Sequence, residues 1–336
     1  MGRMSPDRLI QAEPEPLHRA ILAVLGGLPL PHAARQYEVD PTILSDAVAL
    51  YDQAGREALT RQSTPDGWWQ AYLHFTDWTQ ADATFADHVL PLLQEAEATG
   101  IIDGWWYIRK HPCWRLRLRI RPGARTTSLT EDLNRLGLHR LVAEGHLLRW
   151  WPGIYEPETA AFGGPVGMTA AHALFITDSR EAQRLRHRDG LGVGPRELSV
   201  LLCTFMMRAA GLEWYEQGDV WDRVITNEHR SAINDIPANL LTKRAKEIRP
   251  LLLADSDAML RPDGPLEPIA EWAAAFQSAG QALSNAVQEG TLNRGLRQVL
   301  SYHVIFHWNR LGLSVRGQSI LAWAARAAIL HHGNRT

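Results

Sequence analysis

The sequence predicts an α+β fold: a mostly antiparallel sheet packed with helices, preceded by a small N-terminal helical unit. Three observations carry this. First, GWWQAYLHFTDW, GWWYIRK, CWRLRLRIR and LLRWWPGIYEP alternate apolar and polar residues, the period of a half-buried strand, and all lie between residues 67 and 157. Second, runs of helical period precede this block, interrupt it and continue from Met168 to the C-terminus. Third, only His111-Pro112 separates the two arginine-bearing runs, too little chain for a parallel crossover.

The elements follow in order. Residues 1–16, rich in Pro and Glu, read as a flexible start. LHRAILAVLGGLPL, PHAARQYEV and DPTILSDAVALYDQAGREAL read as three helices filling a unit over 17–65, with Asp40 capping a helix whose first position is Pro41. This unit has few arginines to meet DNA phosphates, so a docking or structural role fits better than a DNA-reading one. RQSTPDG at 61–67 reads as a linker, and a second domain runs over 66–336. There the first strand leads into an amphipathic helix, TQADATFADHVLPLLQEAEATG, with Thr79 as its cap and Gly100 at its end. The strand pair around His111-Pro112 comes next. TSLTEDLNRLGLHRLVAEG is a helix capped at Ser128 or Thr130, followed by a strand and the loop from Gly153. The remaining helices include Leu296–Trp308 and Gln318–Leu330.

Composition sets limits. The 336 residues are 45% hydrophobic and 21% charged, which suits a folded chain. Two cysteines, Cys113 and Cys203, provide neither a disulfide framework nor a cysteine zinc site. A net charge of -2 excludes a globally basic nucleic-acid binder. No apolar run approaches the ~18–20 residues that span a bilayer. The start MGRMSPDRLIQAEPEP lacks a secretory profile, so a cytoplasmic protein is expected. Lys110, Lys243 and Lys246 are the only lysines, so nearly all positive charge is arginine, the residue suited to bidentate anion contacts.

Three places could carry chemistry. In Trp114–Arg121, strand alternation puts Arg115, Arg117, Arg119 and Arg121 on one face and Leu116, Leu118 and Ile120 on the other. That is either a solvated edge or an anion-binding face, and Arg109 on the preceding strand would add a charge if the two strands pair. The loop with Tyr155, Glu156, Glu158, Phe162, Gly163 and Gly164 combines acid, aromatic and glycine content suited to lining a site. Near the C-terminus, His303 and His307 lie one helical turn apart, with Asn309 and Arg310 following. No Glu follows the first His, so the metalloprotease pattern is absent.

On WWYIRKHPCWRLRLR, YEPETAAFGG, HALFITDS, RELSVLLCTFMMRAAGLEWYEQGDVW and HWNRLGL, residues 67–330 resemble the SpaB C-terminal-like family of thiopeptide-type bacteriocin biosynthesis proteins. That resemblance implies an enzyme, a lyase working as the elimination subunit of a split lanthipeptide dehydratase. It would remove glutamate from glutamylated Ser or Thr of a precursor peptide, leaving dehydroalanine or dehydrobutyrine. Arg117, Arg119, His307 and Glu158 are then the catalytic candidates. Arg109, Arg115, Tyr155, His303 and Arg310 are the substrate-binding candidates. No metal or organic cofactor is implied, because glutamyl-tRNA is used by the partner subunit. The implied partners are a leader-bearing precursor peptide and a glutamylating dehydratase subunit, with no membrane or DNA; a homodimer is allowed. Elimination members carry Arg-Tyr before the paired glycines, where this chain has Ala161 and Phe162. This departure leaves open a pyridine synthase, which joins two dehydroalanines by aza-cycloaddition and releases the leader. A non-catalytic precursor-recruiting scaffold and a tRNA-binding module are further alternatives.

Overall fold

The computed structural model describes residues 14–63, 67–121, 136–188, 191–226 and 236–330. The chain divides into two compact units, Met1–Gly67 and Trp68–Thr336. The first holds α1 (Pro14–Leu25), α2 (Leu30–Gln36) and α3 (Pro41–Ser63). Ala20, Ile21, Ala33, Ala34, Leu44 and Ala47 form its small core. Asp40 caps α3 as the sequence predicts, its Oδ1 accepting the amides of Thr42 at 2.8 Å and Ile43 at 3.1 Å. The linker expected over 61–67 starts later than expected, since α3 continues through Ser63; residues 64–66 lie outside the described residues.

The second unit is α+β. Its four strands are β1 (Trp68–Phe75), β2 (Ile102–Lys110), β3 (Cys113–Ile120) and β4 (Leu147–Gly153). They pair in the order β2-β3-β1-β4, every neighbour antiparallel. The register sets Arg117 of β3 between Trp106 of β2 and Gln70 of β1, with Arg115 opposite Tyr72 and Arg119 opposite Trp68.

Between β1 and β2 the expected helix starts differently. Asp77, not Thr79, is the cap: its carboxylate accepts the Thr79 amide at 2.8 Å and hydroxyl at 2.7 Å, opening a short 3-10 turn. A carboxylate accepts more strongly than a hydroxyl, so Asp77 wins. The helix continues as α4 (Ala81–Thr84), a π-turn over Phe85–Val89, and α5 (Leu90–Ala98). Gly100 then turns the chain with φ +72°. The helix after β3 is α6 (Leu138–Ala143); the caps expected at Ser128 or Thr130 lie outside the described residues. After β4 the unit is helical: α7 (Pro165–Arg184), α8 (Pro195–Ala209), α9 (Trp214–Thr226), α10 (Ala238–Leu253), α11 (Ser256–Leu260), α12 (Ala270–Gln288), α13 (Leu296–Arg310) and α14 (Val315–Leu330).

The alternation of β3 makes the sheet a middle layer. Leu116, Leu118 and Ile120 join Phe85, Leu93 and Leu138 in a core on the α4–α6 side. Trp68 and Trp106 join Phe175, Phe205 and Trp308 in the larger core on the other side. Burying both faces is what a three-layer arrangement requires. Among the described residues no helix is long and apolar enough to cross a membrane.

Close helix approach fixes the helical layer. A Cβ on Gly280 of α12 would stand 2.2 Å from the Met206 carbonyl oxygen of α8, so only glycine fits. Gly280→Ala is expected to lower stability by about 1–3 kcal/mol, read as a drop in the chemical-denaturation midpoint; an unchanged midpoint would contradict this packing.

Candidate active site

The arginine face of β3 is covered, not solvated. Helix α7 and the loop after β4 lie over it, and the Arg117 residue is 1% exposed. Its Nε donates to Gln70 Oε1 at 3.1 Å, and its Nη2 lies 3.7 Å from Glu158 Oε1. The guanidinium carbon sits 4.2 Å from the Trp106 ring centroid and 4.9 Å from that of Tyr155. Burial pushes its pKa down to about 10, against the opposing pull of Glu158, so it stays charged at neutral pH. Arg119 lies 5.6 Å from the Trp68 ring and Arg115 5.7 Å from the Tyr72 ring, on the same face. Arg117 Nη1 and Arg119 Nε have no hydrogen-bond partner among the described residues. Arg121 departs from the expected row: it lies past the strand end and pairs with Asp103 at 2.9 Å.

The loop reaches this face by a tight turn. Amides of Ala161 and Phe162 donate to the Glu158 carbonyl at 2.9 and 3.1 Å, and Gly163 and Gly164 follow with φ of +83° and +99°. The glycines let the backbone pass against Leu292 and Asn293, which a Cβ would strike at 2.7 Å in each case. The turn leaves Glu158 half-buried beside Arg117 and Tyr155 fully buried.

The sequence reading missed His172. It sits on α7 within HALFITDS, and its Nε2 shares a 2.7 Å hydrogen bond with the Tyr155 hydroxyl. Burial first, then Arg117 and Arg119, lowers its pKa to about 4, so this imidazole is neutral at pH 7. Arg117, Arg119, Glu158, Tyr155 and His172 therefore form one cluster. A neutral imidazole, a phenol and a row of guanidiniums supply a proton-transfer pair beside an anion site.

The histidines of α13 lie elsewhere. His307, expected beside the arginines, instead donates from Nδ1 to Asp178 Oδ1 at 2.8 Å. Arg310 Nε reaches Asp178 Oδ2 at 2.5 Å, and Trp272 Nε1 donates to the same carboxylate at 2.9 Å. Asp178, His307 and Arg310 are fully buried. Burial alone would raise the Asp178 carboxyl, but His307 and Arg310 outweigh it and hold it below the usual carboxylate range. His303 packs edge-on to Phe162, with centroids 5.0 Å apart. Burial, then Arg310, lowers its pKa to about 3. Phe175 carries Trp106 on its ring at 4.7 Å and the Arg310 guanidinium at 4.3 Å, so aromatic rings lie between the two polar clusters.

Arg109 also departs from expectation. Its strand does pair with β3, but opposite Trp114, on the other sheet face. Its guanidinium lies 4.7 Å from the Trp114 ring and pairs with Asp82. Asn309 exchanges two 2.8 Å hydrogen bonds with the Arg109 backbone, so His-Trp-Asn-Arg clamps α13 to β2 and α7. Among the described residues no three His, Cys, Asp or Glu side chains gather closely enough to hold a metal ion.

A family model described as "Lantibiotic biosynthesis dehydratase C-term" matches residues 68–329. No curated protein sequence matches the chain. The solved structure of tRNA dependent lantibiotic dehydratase MibB from Microbispora sp. 107891 matches 78% of this chain at 20% identity and TM-score 0.55. This chain spans 28% of MibB. TsrL matches 78% of this chain and 94% of its own, at 19% identity and TM-score 0.53. The pyridine synthase TbtD, from thiomuracin biosynthesis, matches 78% of this chain and 98% of its own, at 14% identity and TM-score 0.52. At such identities these likenesses establish the fold.

Removing Asp178 would strand a buried guanidinium. Asp178→Ala is expected to cost about 3–5 kcal/mol, measured by denaturant unfolding; a loss below 1 kcal/mol would contradict the network. Acid should also destabilise the protein. His303 and His172 have folded pKa values below the ordinary ~6.5, so the unfolded chain binds more protons as pH falls below that value. Each imidazole then removes about 1.4 kcal/mol per pH unit until its folded pKa is reached. A thermal midpoint that falls from pH 6.5 to 5, less steeply in His303→Leu, is expected; equal slopes would contradict the burial of His303.

Proposed function

The chain belongs to the lantibiotic biosynthesis dehydratase C-terminal family, whose model matches residues 68–329, and on that premise we propose that it matures a ribosomally made peptide by β-elimination of glutamate from glutamylated Ser or Thr. One observation carries the reading: buried Arg117 and its neighbour Arg119 face the hydrogen-bonded Tyr155–His172 pair. The α-proton of the modified residue passes to Tyr155 Oη as the phenol proton moves to His172 Nε2. The released electron pair forms the Cα–Cβ double bond, the Cβ–O bond breaks, and glutamate departs as a carboxylate. Arg117 and Arg119 stabilise the enolate-like charge and the leaving carboxylate, where fixed cations act without reorganising. Gln70 and Glu158 orient Arg117. His303, His307 and Arg310 serve here as structural supports. A leader-bearing precursor and a separate glutamylating subunit that uses glutamyl-tRNA are the partners this chemistry requires.

A second reading, pyridine synthesis, is favoured by Ala161 and Phe162 at the positions before the paired glycines. Its substrate, a peptide with two dehydroalanines, separates the two in one experiment. The purified protein is incubated with a glutamylated precursor, and with a dehydroalanine-bearing peptide, and products are followed by mass. Loss of the glutamate adduct as a dehydrated residue is expected. An unchanged adduct together with ring formation and leader release would overturn the elimination reading.

Two further results are expected. Tyr155→Phe should slow elimination by about 100-fold while retaining a cooperative fold; a rate within threefold of the parent would remove Tyr155 from the proton path. The base form of His172 is lost only as pH falls through about 4. The acid limb of kcat/KM should therefore lie below pH 5, and a limb near 6.5 would point to a different base.

A further inference from the structure

A groove of about 320 Å³ lies in the helical layer of the second unit, between the start of α8, helix α10 and helix α14. That volume falls at the lower end of the ~300–1,000 Å³ typical of ligand pockets. None of its lining residues belongs to the sheet or to the loop over 154–164. Its apolar wall comes from Ile248 and Leu251 on α10 and Ile320, Leu321 and Ala324 on α14. Their spacing sets the flanks of two neighbouring helices side by side, a slot suited to the apolar stripe of a third helix.

Charge selects the occupant. Arg196, Arg244 and Arg316 line the groove. Its two acids are Glu197 and Glu247, and Glu247 pairs with Arg244 at 2.8 Å and lies 3.9 Å from Lys243, so three arginines face two carboxylates and the lining keeps a net charge of +1. Helix α10 bears Lys243, Arg244, Lys246 and Arg249 against the single acid Glu247, and so holds two of the chain's three lysines.

From this apolar slot with a cationic rim we infer that the groove docks an acidic amphipathic segment of the peptide substrate, remote from the residue that reacts. The identity of that peptide rests on the elimination reading; the affinity for an acidic amphipathic helix does not. Docking there holds the substrate by one segment while another enters the arginine face, raising its local concentration.

The test uses the full chain and a fluorescein-labelled 14-residue synthetic peptide with Leu at i, i+3, i+4 and i+7 spacing and Glu elsewhere. Saturable binding by anisotropy is expected, weakened at least tenfold by Arg196→Glu/Arg244→Glu/Arg316→Glu and retained in the matching Arg→Lys triple. A peptide with Lys in place of Glu should not bind. Equal binding of the two peptides, or no loss in the reversed triple, would overturn the proposal, as would loss of binding on self-association seen by size-exclusion chromatography. Should the reversed triple fail to fold, the single exposed change Arg244→Glu decides, with threefold weakening expected and no change contradicting. Binding of the probe needs no turnover, so its failure is distinct from failure of the elimination assay. Where elimination occurs, deleting an acidic amphipathic segment from the substrate should raise KM and leave kcat unchanged.

Discussion

A single desolvated cation organises the functional side of this protein. The Arg117 residue is 1% exposed on the face of a sheet, and a buried charge persists only where other groups replace its water. Gln70, Glu158 and the faces of Trp106 and Tyr155 do so. Gln70 lies on β1, Trp106 on β2, and Tyr155 and Glu158 on the loop after β4, so satisfying this guanidinium brings three stretches of chain together. The same charge then acts on its surroundings. With Arg119 and burial, it keeps His172 neutral, and a neutral imidazole can accept a proton through Tyr155.

A second buried ionic knot does different work. Asp178 takes hydrogen bonds from His307, Arg310 and Trp272, and so joins α7, α12 and α13. Tyr107 donates to the Arg310 carbonyl at 3.1 Å and extends the tie to β2. Because His307 is committed to this carboxylate, and Phe175 and Trp106 stand between, the C-terminal imidazoles do not meet the arginine face. The knot positions α7, and α7 carries His172.

The fold was largely legible in the residues. Alternation in CWRLRLRIR set the strand and its two faces, and the short His111-Pro112 connection required an antiparallel hairpin. The covering of the arginine face was not legible, because alternation reads the same for a solvated edge and for a charged surface buried by distant helices. Arg109 was misplaced for a related reason: which face it takes depends on the hairpin register, opposite Trp114, and spacing alone leaves that free. His172 and Asp178 lay in a segment read simply as helix. A signal was present, since both fall on the apolar side of α7, where an unpaired polar group would be costly. Identifying their partners required tertiary structure, because Tyr155 and His307 are 17 and 129 residues away.

In the proposed reaction the β3 arginines and the Tyr155–His172 pair surround the reacting residue. A crystal structure with a peptide whose glutamyl group is held by an amide on diaminopropionate, which cannot undergo the elimination, tests this most directly. A glutamyl carboxylate on Arg117 or Arg119 is expected, with the modified residue's Cα within reach of Tyr155 Oη. A glutamyl group bound at His307, or on the outer surface of the helices, would contradict it.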